Sequence, residues 1–537
     1  MPKLTIDNQA VEVPSGATVL DAARALGKHI PTLCFRPGPA APGHPANTSC
    51  FVCVVKINGS SRLLPSCATV AQEGMVVESD TEEVHGVRRT ALELLLGDHL
   101  GDCLGPCQTV CPARVDVPVM LRELIAGRPE QALATFRQAS PFPATLGRIC
   151  AAMCQRACRR GSHDTTVAIR ELHRGLGEGA WRGLSGGTGV LPVSAAGEHR
   201  RDAGATERRV ALLGAGPAGL TAAYFLAQAG CRCVLFEAQP EPGGGLRYGV
   251  PEAALPRAVL TAEIAEALGP GVELRPEQRI LPGLLPDLRR TYGAVLLALG
   301  ELTAEQAAEW GLPWARQGVA VEGSAVAGLP GVFAAGSAVA PSRHAARACG
   351  EGRLAAQAIV RFLAGQNAAP PPDVNTHIGK MEPAEIARLL AEASPEGAVE
   401  PSGGEAGLSP EQAVREAHRC LHCDCRKVAA CRLRHYATEY AASPGRFRGE
   451  RRTFALDTSH LQVAFESGKC LSCGLCLQIT EQAREPLGLA FVGRGFAMRT
   501  EVPFHEALAA GLKIAAAECV AACPTGALAW QDKEDRA

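Results

Sequence analysis

The chain has 537 residues, a length that suggests three to four domains, and carries 54 Lys and Arg against 55 Asp and Glu. That balance leaves no electrostatic footprint for nucleic acid or an anionic membrane, and the 4% aromatic content argues against base-stacking platforms. No apolar run reaches membrane-spanning length, and the alternating N-terminus MPKLTIDNQAVEV lacks the apolar core of a signal peptide, so a cytoplasmic protein is expected. In a reducing compartment its 22 cysteines, which fall in groups, read as metal or cluster ligands rather than disulfides.

Residues 1–82 read as a small β-rich domain. Leu4–Asp7 is a strand, Asn8-Gln9 a turn, Val11–Val13 a return strand and Ala17–Leu26 a helix. Cys34 follows, then a Pro/Gly-rich surface loop, then Cys50, Cys53 and Cys67. Four thiolates, three of them from loops, can hold a two-iron cluster; a zinc site or unrelated thiols are the alternatives. The segments PTLCF, SCFVCVV and SCAT resemble the β-grasp [2Fe-2S] ferredoxin domain that opens the large iron–sulfur subunit of complex I and many iron-only hydrogenases.

Residues 83–174 read as a helical domain. ALELLLGDHLGDC continues the same resemblance, in which a His-x3-Cys pair begins a four-iron site; here the pair is His99 and Cys103. Beyond it the spacing Cys103-x3-Cys107-x3-Cys111 departs from that pattern. GPCQTVCPARVDVPVML and FPATLGRICAAMCQRACRRG are similar instead to the helical domain of the glutamate synthase small subunit and dihydropyrimidine dehydrogenase, which binds two [4Fe-4S] clusters. That resemblance implies one cluster on Cys103, Cys107 and Cys158 and another on Cys111, Cys150 and Cys154. Each set is one ligand short. His99 would complete the first, and His173, which falls on the family's non-cysteine ligand position, the second; the alternative for both is a helix-surface histidine.

Residues 175–207, rich in Gly, Ser and Ala, read as a linker. The FAD-binding unit is expected over 208–365. A short apolar run, Val210–Leu213, precedes Gly214-Ala-Gly216-Pro217-Ala218-Gly219, and a helix Leu220–Ala229 and a strand Cys231–Phe236 ending at Glu237 follow. Gly214 makes the tight turn, Gly216 lets backbone approach a pyrophosphate, and Gly219 lets helix and strand pack closely. Glu237 is placed to accept a ribose hydroxyl. The segment around Gly244, Leu246 and Arg247 and the segment ending Gly336-Ser337 resemble the flavin-contacting segments of the glutamate synthase small subunit. Ser337 stands where that family has an Asp that bonds the ribityl chain. Gly350-Glu-Gly352-Arg353, before a helix Leu354–Leu363, completes a match over roughly residues 100–365. That family inserts a second Rossmann unit for NADPH, about a hundred residues long, between its flavin segments. Here Tyr292–Gly300 leads almost directly to Gly331, so the nicotinamide unit is expected to be missing.

Residues 366–418 read as a linker with a helix Pro383–Ala393, and 419–460 as a Cys-rich segment. Cys420, Cys423, Cys425 and Cys431 fit one metal centre, either a further [4Fe-4S] cluster or zinc, with unligated thiols as the alternative. In residues 461–537, Cys470-x2-Cys473-x2-Cys476 plus the remote Cys523-Pro is a [4Fe-4S] signature, and it resembles a second four-iron region of the complex I large subunit. Cys519 reads as a structural thiol, and Cys231, Cys233 and Cys349 as small buried residues.

The expected fold class is therefore multidomain α/β: a ferredoxin-type domain, a helical two-cluster domain, a Rossmann-like FAD domain and a C-terminal ferredoxin-like domain. Expected cofactors are FAD, one [2Fe-2S] and three [4Fe-4S] clusters, and the centre at Cys420–Cys431. The resemblances imply a soluble electron-transfer subunit that exchanges electrons with a partner, an NADH-oxidising flavoprotein or a ferredoxin. A self-contained NAD(P)H oxidoreductase and an electron-wire scaffold with a vestigial flavin site are the alternatives.

Overall fold

The structure is a computed structural model; it describes residues 1–36, 48–181, 209–367, 373–399, 407–450 and 453–531. Most of the surface loop expected between Cys34 and Cys50, and the linker from residue 182 onward, lie outside the described residues. The chain forms two compact units, each discontinuous in sequence: residues 1–104, 371–388 and 424–537 in one, 105–370 and 389–423 in the other. This differs from a series of domains read along the chain, because 83–174, 366–418 and 419–460 each contribute to both units.

In the first unit, Lys3–Ile6 and Gln9–Glu12 pair antiparallel across a turn at Asp7 and Asn8, both left-handed (φ 45° and 65°). They join Val76–Glu78, Val54–Ile57 and Leu64–Pro65 in a five-stranded sheet. The helix Val19–Ala25 is fixed by a capping box between Thr18 and Asp21 and buries Val19, Leu20, Ala22 and Ala23 in the core with Ile6, Val55 and Val77. A long helix, Glu82–Gly97, follows. Its fully buried Arg88 donates to Val54 O at 3.0 Å and to the Tyr440 hydroxyl at 2.9 Å, satisfying a charge removed from water. In the C-terminal part, Val463–Phe465 pairs antiparallel with Leu528–Trp530, and the helices Leu475–Gln482 and Ala516–Ala522 pack beside them.

The second unit joins a bundle of short helices between Pro106 and Gly177 to a seven-stranded sheet. The central parallel strands are Val332–Ala334, Ala294–Leu297, Arg209–Leu213, Arg232–Phe236 and Val272–Arg275, in that order. Residues 175–181, expected as linker, instead extend the helix Ile169–Gly177 and end at Trp181, which is buried and donates to Leu408 O at 3.1 Å. The helix expected from Leu354 begins at Ala345 and contains Gly350 and Gly352. A Cβ on either glycine would overlap backbone, Pro112 O for Gly350 and Ala218 O for Gly352, so close packing rather than a turn explains them.

Candidate cofactor sites

The first site lies in the ferredoxin-type sheet. Cys34 and Cys50 bring their sulfurs to 3.4 Å, and Cys53 and Cys67 theirs to 3.3 Å, all four being buried. The Ser66 hydroxyl donates to Cys53 O at 2.8 Å and fixes the loop. Thiol hydrogen bonds from Cys50 and Cys67 hold Cys34 well below the usual thiol range, while contacts with Cys34 and Cys53 push Cys67 up. Sulfurs so close cannot all ionise unless a cation sits among them.

A second site, also in the first unit, brings together Cys103, Cys425 and Cys431, with His99 four residues before Cys103. The Cys425 N–H donates to Cys103 O at 3.2 Å, and burial together with the Cys425 and Cys103 thiols pushes Cys431 up to about 12. Thr376 ties the chain before Cys103 by donating to Gly101 O at 2.7 Å, and its N–H lies 3.4 Å from Cys103 Sγ. The His99 ring is buried and its Nδ1 has no hydrogen-bond partner. Burial, then the Lys469 ammonium, pushes its pKa down to about 3, which keeps a neutral nitrogen available to a metal. Cys103 thus lies with Cys425 and Cys431 rather than, as expected, with Cys107 and Cys158.

Those last two sulfurs belong to the second unit, where Cys107, Cys158, Cys420 and Cys423 line one pocket with Gly105, Pro118 and Ile169. Burial, then Cys420, Cys423 and Cys158, push the Cys107 thiol well above its ordinary value. The four thiols of 420–431, expected to share one centre, are thus divided in two. The reason is long-range packing. Arg160 and Arg419 are fully buried; Arg160 donates to Asp164 at 2.7 Å and to Ser394 O at 2.8 Å. Arg419 donates to Glu416 and to Thr165 O, both at 2.7 Å. Together they staple the segment carrying Cys420 onto the loop after Cys158.

Cys111, Cys150 and Cys154 form a fourth group. Burial, then the thiols of Cys111 and Cys150, push Cys154 up to about 12. The buried His173 holds its Nδ1 3.1 Å from Pro143 O and packs against Phe136, ring centroids 4.9 Å apart. An Nδ1–H donated to a carbonyl leaves the lone pair on Nε2, the usual preparation of a ligating imidazole. Burial pushes its pKa down to about 4, so the ring is neutral.

In the C-terminal part, Cys470, Cys473, Cys476 and Cys523 line one pocket with Thr500 and Thr525. Cys519 is absent from its lining; the thiol is fully buried and points at Cys476 O, 3.8 Å away. One non-glycine residue is left-handed in each of four ligand loops: Phe51, Ala152, His422 and Ser472 (φ 45–52°). At Cys420 and Cys470 the consequence is visible: the N–H of His422 and of Ser472 each points at the preceding sulfur, 3.4 Å away. Such N–H groups stabilise thiolate charge.

The glycine loop has the form expected of a dinucleotide turn. Gly214 has φ +104°, and a Cβ on Gly219 would overlap Gly214 O. A Cβ on Gly216 would meet nothing within 4 Å, so backbone is open to a ligand there. The helix Pro217–Gln228 starts at this loop, with Ala218 packed under it. The Glu237 carboxylate accepts the Ala215 N–H at 2.7 Å and the Gln239 N–H at 2.8 Å, so it also ties down the glycine turn. Gly243 donates to Ala215 O at 2.8 Å, which lays the Gly244 segment beside the loop. Leu246 is buried beneath it, and Arg247 donates to Pro242 O at 2.7 Å. On the other side, the Gly336 N–H donates to Glu351 Oε2 at 2.9 Å, and the Ser337 hydroxyl donates to Ser342 O at 3.3 Å. Residues 298–331 hold one six-residue helix, Ala304–Glu309, and a few two-residue strands.

Sequence reasoning missed Thr376, Lys469 and Glu351. Lys469 carried a signal, a charged residue immediately before the first Cys of a ligand motif, and Glu351 stood inside the Gly350–Arg353 segment; Thr376 carried none.

The chain is thus a multidomain α/β protein with iron–sulfur domains and a Rossmann-like domain. Residues 2–82 match the family described as a 2Fe-2S iron-sulfur cluster binding domain, and 101–182 match dihydropyrimidine dehydrogenase domain II, 4Fe-4S cluster. Residues 213–254 match an NAD(P)-binding Rossmann-like domain. The chain is 36% identical over 215 residues to the NADP(+)-dependent formate dehydrogenase subunit beta of Moorella thermoacetica, covering 36% of this chain and 29% of that one. It is 32% identical over 198 residues to the NADPH-Fe(3+) oxidoreductase subunit beta of Geobacter sulfurreducens, covering 36% and 28%. It is 47% identical over 104 residues to the NADP-reducing hydrogenase subunit HndD of Solidesulfovibrio fructosivorans, covering 19% and 18%. The matched stretches thus span less than a third of each relative. Among the described residues no helix is long and apolar enough to cross a membrane.

Proposed function

We propose that this chain is an iron–sulfur, FAD-binding electron-transfer subunit of a larger oxidoreductase, working in a reducing compartment such as the cytoplasm. When bound, iron–sulfur clusters carry single electrons and a flavin couples them to two-electron chemistry. The observation that carries the reading is the division of the cysteines into five groups, each suited to a cluster. In this reading Cys34, Cys50, Cys53 and Cys67 hold [2Fe-2S]. Four [4Fe-4S] sets follow: His99, Cys103, Cys425 and Cys431; Cys107, Cys158, Cys420 and Cys423; Cys111, Cys150, Cys154 and His173; Cys470, Cys473, Cys476 and Cys523. The orphaned His99 Nδ1 and the four-thiol pockets fit such groups. The remaining thiols, Cys231, Cys233, Cys349 and Cys519, are buried packing residues.

Gly214–Gly219 would receive the FAD pyrophosphate and Glu237 a ribose hydroxyl, with Gly244, Leu246, Arg247 and Gly336-Ser337 along the flavin. The Glu351 carboxylate, which accepts the Gly336 N–H and pairs with Arg347, would put an acid near the position where Ser337 lacks one. A hydride passes only between rings held in contact, and residues 298–331 are too short for a second nucleotide unit. Electrons would therefore come from a partner, an NADH-oxidising flavoprotein or a ferredoxin. A self-contained NAD(P)H oxidoreductase is the second reading, favoured by the NAD(P)-binding description of the family matched at 213–254.

The test is iron, sulfide and acid-released flavin analysis of anaerobically purified protein, followed by titration with NADH and NADPH. Free FAD with no bleaching until a partner is added is the expected result. Rapid bleaching by either nucleotide alone would establish the second reading. Clusters without flavin would leave an electron-wire scaffold.

A further inference from the structure

Lys469 is the one lysine among the fully buried large side chains of the described residues. Its Nζ donates to Glu466 at 2.6 Å. Its stem runs along the chain between His99 and Cys103. A Cβ at Gly101 would stand 2.5 Å from Lys469 Cε, and the Leu100 N–H donates to Gly468 O at 2.7 Å. The absence of a side chain at Gly101 therefore makes room for the lysine stem. Asp102, next to Gly101 in the sequence, accepts the Ile378 N–H at 2.9 Å. Burial is a cost to this ammonium, and the ion pair with the buried Glu466 carboxylate offsets it. The charge of this ammonium reaches both the His99 ring and the Cys425 sulfur.

We propose that Lys469 is a fixed internal cation that raises the reduction potential of the cluster held by His99, Cys103, Cys425 and Cys431. The inference rests on that ligand assignment. Adding one electron makes a buried cluster more negative, and a permanent positive charge beside two ligands favours the reduced form. The neutral imidazole of His99 in place of a thiolate acts in the same direction, making this centre the most readily reduced four-iron site of its unit. No proton is gained or lost by Lys469 in this role.

The experiment is an EPR-monitored redox titration of the full-length, anaerobically purified protein, using dithionite as reductant at one fixed pH. His99→Ala first identifies the signal of this centre. If that substitution changes no signal, the ligand assignment itself fails. With the signal identified, Lys469→Met should move its midpoint to lower potential and Lys469→Arg should restore it. Glu466→Gln should move it upward, and the [2Fe-2S] midpoint should stay fixed throughout. An identified signal whose midpoint is the same in Lys469→Met and Glu466→Gln as in the parent overturns the proposal. If Lys469→Met does not fold, the direction of the Glu466→Gln shift decides.

Discussion

Gly526 lies so close to the Cys425 sulfur that a Cβ on the glycine would overlap Sγ. Gly526 follows Cys523 by three residues, within the CPTGAL segment that a ferredoxin-like signature assigns to the C-terminal cluster. The glycine thus serves a ligand of a different site. Gly526→Ala is expected to displace Cys425 and to cost about 1–3 kcal/mol by overpacking. Loss of the EPR signal assigned to His99, with the C-terminal signal retained, would be the mark of that effect.

The grouping of ligands makes a prediction about which substitutions behave alike. Cys158→Ser and Cys423→Ser should perturb one and the same spectroscopic signal, and Cys425→Ser should perturb the one lost in His99→Ala. Had Cys420–Cys431 formed one centre, Cys423→Ser and Cys425→Ser would coincide. At the C-terminal site, Cys523→Ser should lose or convert the cluster, whereas Cys519→Ser, altering a packed thiol outside the pocket, should leave its spectrum intact.

Arg419 and Arg160 are buried cations whose partners, Glu416 and Asp164, hold them in place, and the Arg160 guanidinium keeps Asp164 well below the usual carboxylate range. Removing one member strands the others away from water. Arg419→Met is expected to destabilise the second unit by about 3–5 kcal/mol. Because Arg419 immediately precedes Cys420, iron content should also fall by the equivalent of one four-iron cluster. A melting temperature and iron content equal to the parent's would show that the staple is dispensable.

Much of this was legible in the sequence because the relevant signals are short-ranged. The alternation at Leu4–Val13 and the glycine spacing at Gly214–Gly219 each lie within a short stretch of chain, and each became the local structure expected: a strand pair in the first case, a turn into a helix in the second. What was not legible depends on contacts between distant segments. Nothing in the spacing of Cys420, Cys423, Cys425 and Cys431 says that the first two face Cys107 and Cys158, far earlier in the chain, while the last two face Cys103. Nor does the sequence reveal that Gly350 and Gly352 are interior helix residues, since the reason is backbone passing on the outside. The left-handed residues Phe51, Ala152, His422 and Ser472 share no side-chain chemistry, so composition could not single them out.

Glu263 provides a test that does not depend on any cofactor assignment. Its carboxylate accepts the N–H groups of Ala144 and Thr145, at 2.6 and 2.8 Å, at the start of the helix Pro143–Ile149. Burial outweighs these bonds and pushes its pKa up to about 7, from an ordinary 4.5. The folded state therefore holds a proton that the unfolded chain releases between about pH 4.5 and 7. The stabilisation is complete below that window, declines as pH rises through it, and is constant above it. For a shift of this size the decline is on the order of 3 kcal/mol. Glu263→Gln cannot ionise, and its amide oxygen still accepts one of the two N–H groups. The stability difference between parent and variant, measured by denaturant melts from pH 5 to 8.5, should therefore move in favour of the variant until about pH 7 and then level off. A difference that is flat across the whole range would mean that Glu263 keeps an ordinary carboxylate pKa in the folded protein.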